Sequence, residues 1–539
     1  MDNEETLRVR AYYLWEAAGR PEGAANLHWA QARRDTALIA ETATDILSAE
    51  TLAQLERDLL PGYLLRRRWF GAKNRTIEGL SVVEPVTIGD AGILAQIEVR
   101  AAGGVERYAL PLAIVWDDSD APYVAREMAI VGIRSENRLG VLTDAFFTPP
   151  FIQALLTGTH GGCPMKSHDE GKLEFTPESA AWDAIDKAGE IRWLSTEQSN
   201  TSVVVGNRIV MKLMRRLQAG VHPEAEMCRF LTRAGYQNAS PLLAEVAHTD
   251  SKGESRSMFV LEGFVANQGD AWTHAVECLQ GIVRENGETK VFERIVEVVG
   301  RRLGELHAVL LEAHDDAAFD AEAVQEGDIE AWKEAAIEQV ERALDAAGKH
   351  EGDLLIGDLM GSRAEIVDAV SRAQFEYSGA AKTRIHGDFH LGQVLWSGTD
   401  AYIIDFEGEP ARPVESRRAK SSPLRDVAGL LRSLDYAAAF AAQAEGRTDR
   451  EPSLDALIRD AEDRFLRAYR QAGGTEIAAP SSGDRISLLD LFLLEKCAYE
   501  VCYEAANRPD WISIPLQGMA RVLQAFPDLV GRRTASPGE

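Results

Sequence analysis

The 539-residue chain is poor in cysteine: five residues, at 163, 228, 278, 497 and 502, with no CxxC pair among them. An odd, scattered set of this kind excludes a disulfide framework and a zinc ribbon and fits a reducing cytoplasm. No uninterrupted apolar run approaches the roughly 20 residues that a bilayer span requires. The first residues, MDNEETLRVR, place acids where a signal peptide carries its basic region, so neither secretion nor a membrane anchor is expected. Positive charge is also scarce. With 58 Lys+Arg against 85 Asp+Glu the net charge is −27, too acidic for a general nucleic-acid binder, because duplex binding needs clustered cations to replace counterions. Several chemical motifs are missing as well: GxxxxGK[ST], GxGxxG, HExxH and GxSxG are all absent, which removes the P-loop, the dinucleotide fingerprint, the zinc protease and the serine hydrolase elbow.

What is present is a globular composition, 45% hydrophobic and 27% charged, in a chain long enough for about two to four domains. Residues 1–45 read as a short helical extension, with Leu7, Ala11, Leu14 and Ala18 on one face and a break at Gly19-Arg20-Pro21. Residues 50–150 open on a helix-like segment, TLAQLERDLLPGYLLRRRWFGAK, and continue into β-type runs such as ILAQIEVRA, an α+β pattern. The Gly-rich stretch at 158–172 has the texture of an exposed connection, and the tail RRTASPGE that of a frayed end. Further on, TSVVV and RIVMKL flank Gly206-Asn207, a strong hairpin signal. Beyond about residue 270 amphipathic helix dominates, interrupted by one β-like island at 384–410.

That island carries the chemistry. VLW (394–396) and AYIID (401–405) flank the turn-forming Ser397-Gly398-Thr399-Asp400, and pairing them puts Gln393 opposite Ile404 and beside Asp405. Asp388 reaches the same end through a loop. Two carboxylates and an amide oxygen form a hard-oxygen environment suited to Mg²⁺. The spacing of an Asp, an amide five residues later and a second Asp before Phe is that of a kinase catalytic loop, met here by Asp388, Gln393 and Asp405-Phe406.

Such a loop requires an upstream lysine on a strand. Lys212 lies on the second strand of the hairpin, and Glu226, at the head of a helix-like run, is the expected ion-pair partner. The loop STEQSNTS offers Gln198, Ser199, Asn200, Thr201 and Ser202 as phosphate donors. The bend MFVLEGFV, with Glu262 and Phe264, is the expected lobe connection, where backbone groups would receive adenine. Lys496, Tyr499, Tyr503 and Asn507 share one helical stripe, and by spacing alone a half-buried core face explains it.

The segments EQSNTSVVVGNRIVMKL, HGDFHLGQVL, IDFEGEPARP, KSSPLRDVAGLLRSLDYA and EKCAYEVCYEAANRPDWISIPL, spread over 195–520, resemble the bacterial maltokinases. These are a branch of the aminoglycoside phosphotransferase-like and protein kinase-like superfamily. RRRWFGAK (66–73) resembles that family's N-terminal cap, and the HWAQA segment (28–32) a short bacterial domain of unknown role.

The resemblance implies an α+β, bilobal protein-kinase-like fold with a β-rich N-lobe (151–265) and a mostly helical C-lobe (266–530), preceded by the cap and the extension. It implies transfer of phosphate from ATP to the anomeric hydroxyl of maltose, giving maltose 1-phosphate for α-glucan (glycogen) synthesis. In it Asp388 is the catalytic base and a substrate contact, Gln393 and Asp405 are Mg²⁺ ligands, and Lys212 with Glu226 orients phosphate. The stripe of Lys496, Tyr499 and Tyr503 becomes a sugar-binding helix, with Glu407 and Glu409 as further sugar contacts, one of which can instead hold the loop. The superfamily more often has Asn where Gln393 stands. Another small hydroxylated acceptor, such as glucose, trehalose or an aminoglycoside, is the alternative on the same fold. A cationic antibiotic would favour an acidic pocket over Lys496 and tyrosines. The partners expected are maltose and ATP, with a functional link to trehalose synthase and a monomer favoured.

Overall fold

The structure, a computed structural model, describes most of residues 37–526. Before residue 37 it describes only residues 8, 11–16, 18, 20, 28–29 and 31–32. Residues 137, 162–163, 179–181, 183–184, 195–199, 285–286, 313–314, 351–353, 411, 448–451, 475–484 and 527–539 also lie outside the description. The chain divides into two units: residues 1–230 with 241–264, and residues 231–240 with 265–539.

Two seven-stranded sheets build the first unit. One contains β1 (Leu38–Ile39), β2 (Ile77–Thr87), β3 (Ile93–Ala101), β4 (Gly104–Trp116), β5 (Ala129–Arg134) and β6 (Leu139–Asp144), in the order β1-β5-β6-β4-β3-β2. Strand β3 sits between two long neighbours and is buried almost throughout, as its apolar run ILAQIEVRA requires. Trp69 and Phe70, from the segment after the N-terminal helix Leu60–Leu65, pack on Tyr108 of β4 with ring centroids 5.9 and 5.1 Å away.

The other sheet contains β7 (Met165–Lys166), β8 (Lys172–Pro177), β9 (Ile191–Trp193), β10 (Asn200–Val205), β11 (Ile209–Met214), β13 (Leu242–Thr249) and β14 (Ser255–Gly263), in the order β7-β8-β13-β14-β11-β10-β9. The short β12 (Arg216–Leu217), directly after β11, crosses over to pair with β4 of the first sheet. The predicted hairpin is present. Gly206 and Asn207 both take left-handed φ values, 58° and 51°, and the Arg208 N–H closes the turn on the Val205 carbonyl. The Gly-rich stretch differs from expectation, since the helix Pro149–Gly161 runs into its start.

Helices dominate the second unit, among them Thr289–Leu311, Glu326–Ala347, Leu424–Ala444, Pro452–Gln471 and Leu488–Asn507. Buried His307 contacts the Tyr469 hydroxyl at 2.8 Å, tying the first of these to the fourth. The hairpin Val394–Trp396 with Ala401–Ile403 has the predicted register. Two further β pairings accompany it: Glu322–Ala323 with Ala381–Lys382, and Gln374–Glu376 with Arg485–Ser487. Runs of two or three residues are too short to show a period of two, so the sequence pattern gave no sign of them.

Candidate active site

In the first unit Lys212 stands directly across from Ser202 on the β10–β11 ladder. Its ammonium pairs with Glu224 and, at 3.3 Å, with Glu262 Oε1. Glu224, not Glu226, is therefore the helix partner. The helix Pro223–Ala234 places Glu224 and Cys228 on one face, four residues apart, whereas a step of two residues carries Glu226 about 200° around the axis. Burial pushes the Glu262 carboxyl up to about 7, a rise that Lys212 opposes and Glu224 reinforces. Burial likewise holds the Cys228 thiol well above its usual range, with Glu262 and Glu224 adding to the effect. The ligand atoms of Glu224, Cys228 and Glu262 lie within 4.8 Å of one another, but the Lys212 ammonium bonds both carboxylates and serves as the cation of this cluster.

Strand alternation separates the remaining nucleotide candidates. Ser202 shares a face with Lys212, while Thr201 turns inward, where its hydroxyl accepts from Arg215 Nε at 2.8 Å. The expectation that Thr201 offers its hydroxyl to phosphate is thus not met, because its side chain is buried on the face opposite Lys212. Asn200 opens β10, and Gln198 and Ser199 lie outside the described residues. Phe264 donates its N–H to the Arg208 carbonyl, which leaves its own carbonyl as the group an adenine edge could use.

In the second unit the island folds as a loop, a one-turn 3₁₀ segment and the hairpin. The Ile404 N–H bonds the Gln393 carbonyl, and the Gln393 side-chain amide donates to Asp405 Oδ2 at 3.0 Å. Asp405 takes φ 68°, a left-handed conformation rare for a residue with a side chain and typical of a constrained functional position. In this arrangement the Gln393 amide nitrogen, not its oxygen, meets Asp405, so a Mg²⁺ ion held by both residues requires the amide turned over to present its oxygen.

Asp426 secures the loop. Its carboxylate accepts from the His386 and Gly387 N–H groups, both at 2.8 Å, and lies 3.1 Å from His307 Nε2. Burial works to raise its pKa, but the His307 contact and the backbone donors outweigh burial and hold it below the usual carboxylate range. Gly429, on the same helix as Asp426, lets the loop approach closely: a Cβ there would stand 2.4 Å from the Phe389 carbonyl.

Asp388 faces a cavity of about 310 Å³ whose walls include Glu409, Arg412, Lys496, Tyr499, Trp332 and Phe492. Lys496 Nζ lies 3.5 Å from Asp388 Oδ1 and 3.7 Å from Glu409 Oε1, and over the Tyr499 ring at 5.0 Å. Burial opposes charge on Lys496, yet Asp388 and Glu409 more than compensate and raise its pKa. Glu409 also accepts from Arg412. Glu407 behaves differently: it is buried, its carbonyl accepts from Arg417, and it does not line the cavity. Tyr503 does not line it either. That ring is 47% exposed, one turn beyond Tyr499, and Asn507 donates to its carbonyl. Trp332, Arg412, Phe492 and Asp426 were not singled out in the sequence, because none of them stands in a local motif that marks it.

A β-sheet unit with a strand lysine paired to a helix glutamate, and a helical unit with an Asp, Gln, Asp loop, define a kinase-like fold. Residues 190–409 match the phosphotransferase enzyme family, residues 63–147 the maltokinase N-terminal cap domain, and residues 2–36 a family described only as a protein of unknown function. A glucosamine kinase of Mycolicibacterium smegmatis is 30% identical over 336 residues, covering 62% of this chain and 80% of that protein. A second, from Streptacidiphilus jiangxiensis, is 26% identical over 354 residues, covering 63% and 76%. A solved glucosamine kinase in complex with glucosamine, ADP and inorganic phosphate superposes with a TM-score of 0.58 at 20% identity, covering 83% of this chain and 95% of that one. The chain belongs to the phosphotransferase enzyme family and carries the maltokinase cap. Among the described residues no helix is long and apolar enough to cross a membrane.

Proposed function

We propose that the protein is an ATP-dependent maltokinase, transferring phosphate to the anomeric hydroxyl of maltose and so feeding α-glucan synthesis. The observation that carries this reading is Lys496 in the Asp388 cavity: an internal ammonium already answers both Asp388 and Glu409. A neutral polyhydroxylated sugar can share these groups through hydrogen bonds, whereas a cationic amino sugar would meet like charge. The cap match agrees with it.

In this reading Asp388 orients the anomeric hydroxyl and accepts its proton, Glu409 and Lys496 hold neighbouring hydroxyls, and Tyr499 provides an apolar wall. Lys212, fixed by Glu224 and Glu262, offsets triphosphate charge, with Ser202 beside it. Gln393 and Asp405 would hold Mg²⁺, which when bound neutralises charge on the phosphates. We assign residues 1–45 to an extension, 50–150 to the cap, 151–265 to the N-lobe and 266–530 to the C-lobe.

Glucosamine is the second reading, favoured by the names of the two curated relatives. Purified protein with ATP, Mg²⁺ and a panel of maltose, glucosamine, glucose and trehalose decides between them, with NMR identifying the phosphorylated carbon. Turnover confined to glucosamine, or no ATP consumption with maltose, would sink the leading assignment.

A further inference from the structure

A second cavity of the helical unit, of about 420 Å³, shares Ala419 and Lys420 with the wall of the Asp388 cavity. Its walls come from three short segments, 317–322, 382–384 and 415–420. Backbone pairing draws them together: Glu322 stands across from Lys382, and Thr383 and Ser421 exchange both backbone hydrogen bonds, at 3.0 and 2.8 Å. Four cations line the cavity, Lys382, Arg384, Arg418 and Lys420, against the carboxylates of Glu322 and Glu415. That balance is the reverse of the chain's net −27. Arg384 is only 2% exposed, with its guanidinium over the Phe319 ring at 5.0 Å, so one of the four charges is held where salt screens it little.

Both lysines converge on one acid. Lys420 Nζ lies 2.7 Å from Glu322 Oε1, and Lys382 Nζ 3.4 Å from Glu322 Oε2. Lys382 also meets Asp328 at 2.8 Å, and Lys420 donates to the Ala317 carbonyl at 2.9 Å. The Glu322 side chain is 52% exposed and belongs to a two-residue surface strand. It is a counter-ion that another anion can displace without opening the core.

We infer that this cavity is a second ligand site, separate from the acceptor site, for a phosphate monoester whose oxygens replace the Glu322 carboxylate between Lys382 and Lys420 and reach Arg418. Arginine and lysine at this density suit phosphate through charge-assisted N–H···O bonds. A free phosphate fills little of about 420 Å³, whereas a hexose phosphate suits a cavity larger than the about 310 Å³ beside Asp388. The site goes beyond the kinase reading and does not depend on which sugar is the acceptor.

The test titrates glucose 1-phosphate and, separately, inorganic phosphate into the full chain by calorimetry at physiological ionic strength. ADP, Mg²⁺ and the best acceptor sugar are present at saturation to fill the kinase sites. Binding of the probe is expected to persist. Lys382→Gln/Arg418→Gln, whose two positions do not line the Asp388 cavity, should weaken it on the order of tenfold or more. Glu322→Gln removes the competing carboxylate and should tighten it severalfold, a change of sign that a merely structural role does not produce. Tighter binding of glucose 1-phosphate than of inorganic phosphate identifies a sugar phosphate as the ligand; equal affinities identify the phosphate group alone. Binding of neither probe, or its loss once the kinase sites are filled, would overturn the inference. So would wild-type affinity in the folded double variant, or a Glu322→Gln protein that binds no tighter than the wild type. If the double variant does not fold, Glu322→Gln decides on the same terms. A wild type that binds the phosphate probe but neither ADP nor sugar would bring down the kinase reading and leave this site standing.

Discussion

Lys496 Nζ lies 3.5 Å from Asp388 Oδ1, so the proposed base faces a cation of its own chain across the cavity. Asp388→Asn keeps the shape and removes the proton acceptor. Its turnover should fall on the order of 10²–10⁴-fold, with ADP binding retained. A steady-state assay beside a nucleotide titration checks this, and near-normal turnover would refute the role.

Lys496→Ala should raise the sugar KM much more than the ATP KM. It should also change preference: with the internal ammonium gone, Asp388 and Glu409 are left to attract an external one, and the ratio of glucosamine to maltose efficiency should rise. If neither KM nor the ratio moves, the stripe on Leu488–Asn507 is only a packing face.

Glu224→Gln replaces one charge-assisted hydrogen bond to Lys212, a contact worth about 1.5–3 kcal/mol. kcat/KM for ATP should drop by roughly 10–100-fold on that basis. Glu226→Gln, made two positions away on another face of the helix, should stay close to the wild type. The reverse order of severity would restore Glu226 as the working partner.

The raised pKa of Glu262 has a defined sign. Between the ordinary glutamate value of 4.5 and about 7 the folded protein holds a proton that the unfolded chain releases. Stability from this group is therefore greatest below 4.5, declines as pH rises through that window and is flat above it. Glu262→Gln should flatten the melting-temperature profile between pH 5 and 7. An identical slope in both proteins would show that Glu262 does not titrate there.

How far the sequence was legible depends on where each signal lives. Asp388, Gln393 and Asp405 lie within one hairpin and its loop, so counting residues was enough to bring Gln393 beside Asp405. Lys212 was equally local, since a two-residue turn fixes its strand. The helix partner was not local: Glu224 and Glu226 are equally spaced candidates until the helix phase is known, and that phase is set by packing of Met227 and Leu231 in the interior. Thr201 failed for a related reason, because a hydroxyl-rich loop does not reveal which alternate side chains turn inward. The cavity walls Trp332 and Phe492 come from helices far apart in sequence, and no local pattern joins them.

The three contacts that Asp426 makes to the loop and to His307 have a consequence for rebuilding this protein. The segment HGDFHLGQVL and the first turns of Leu424–Ala444 form one transplantable piece. A chimera exchanging Leu488–Asn507 can alter the acceptor while that piece stays whole, but one that cuts between residues 393 and 424 and takes its second half from a distant relative would separate the loop from the carboxylate that shapes it.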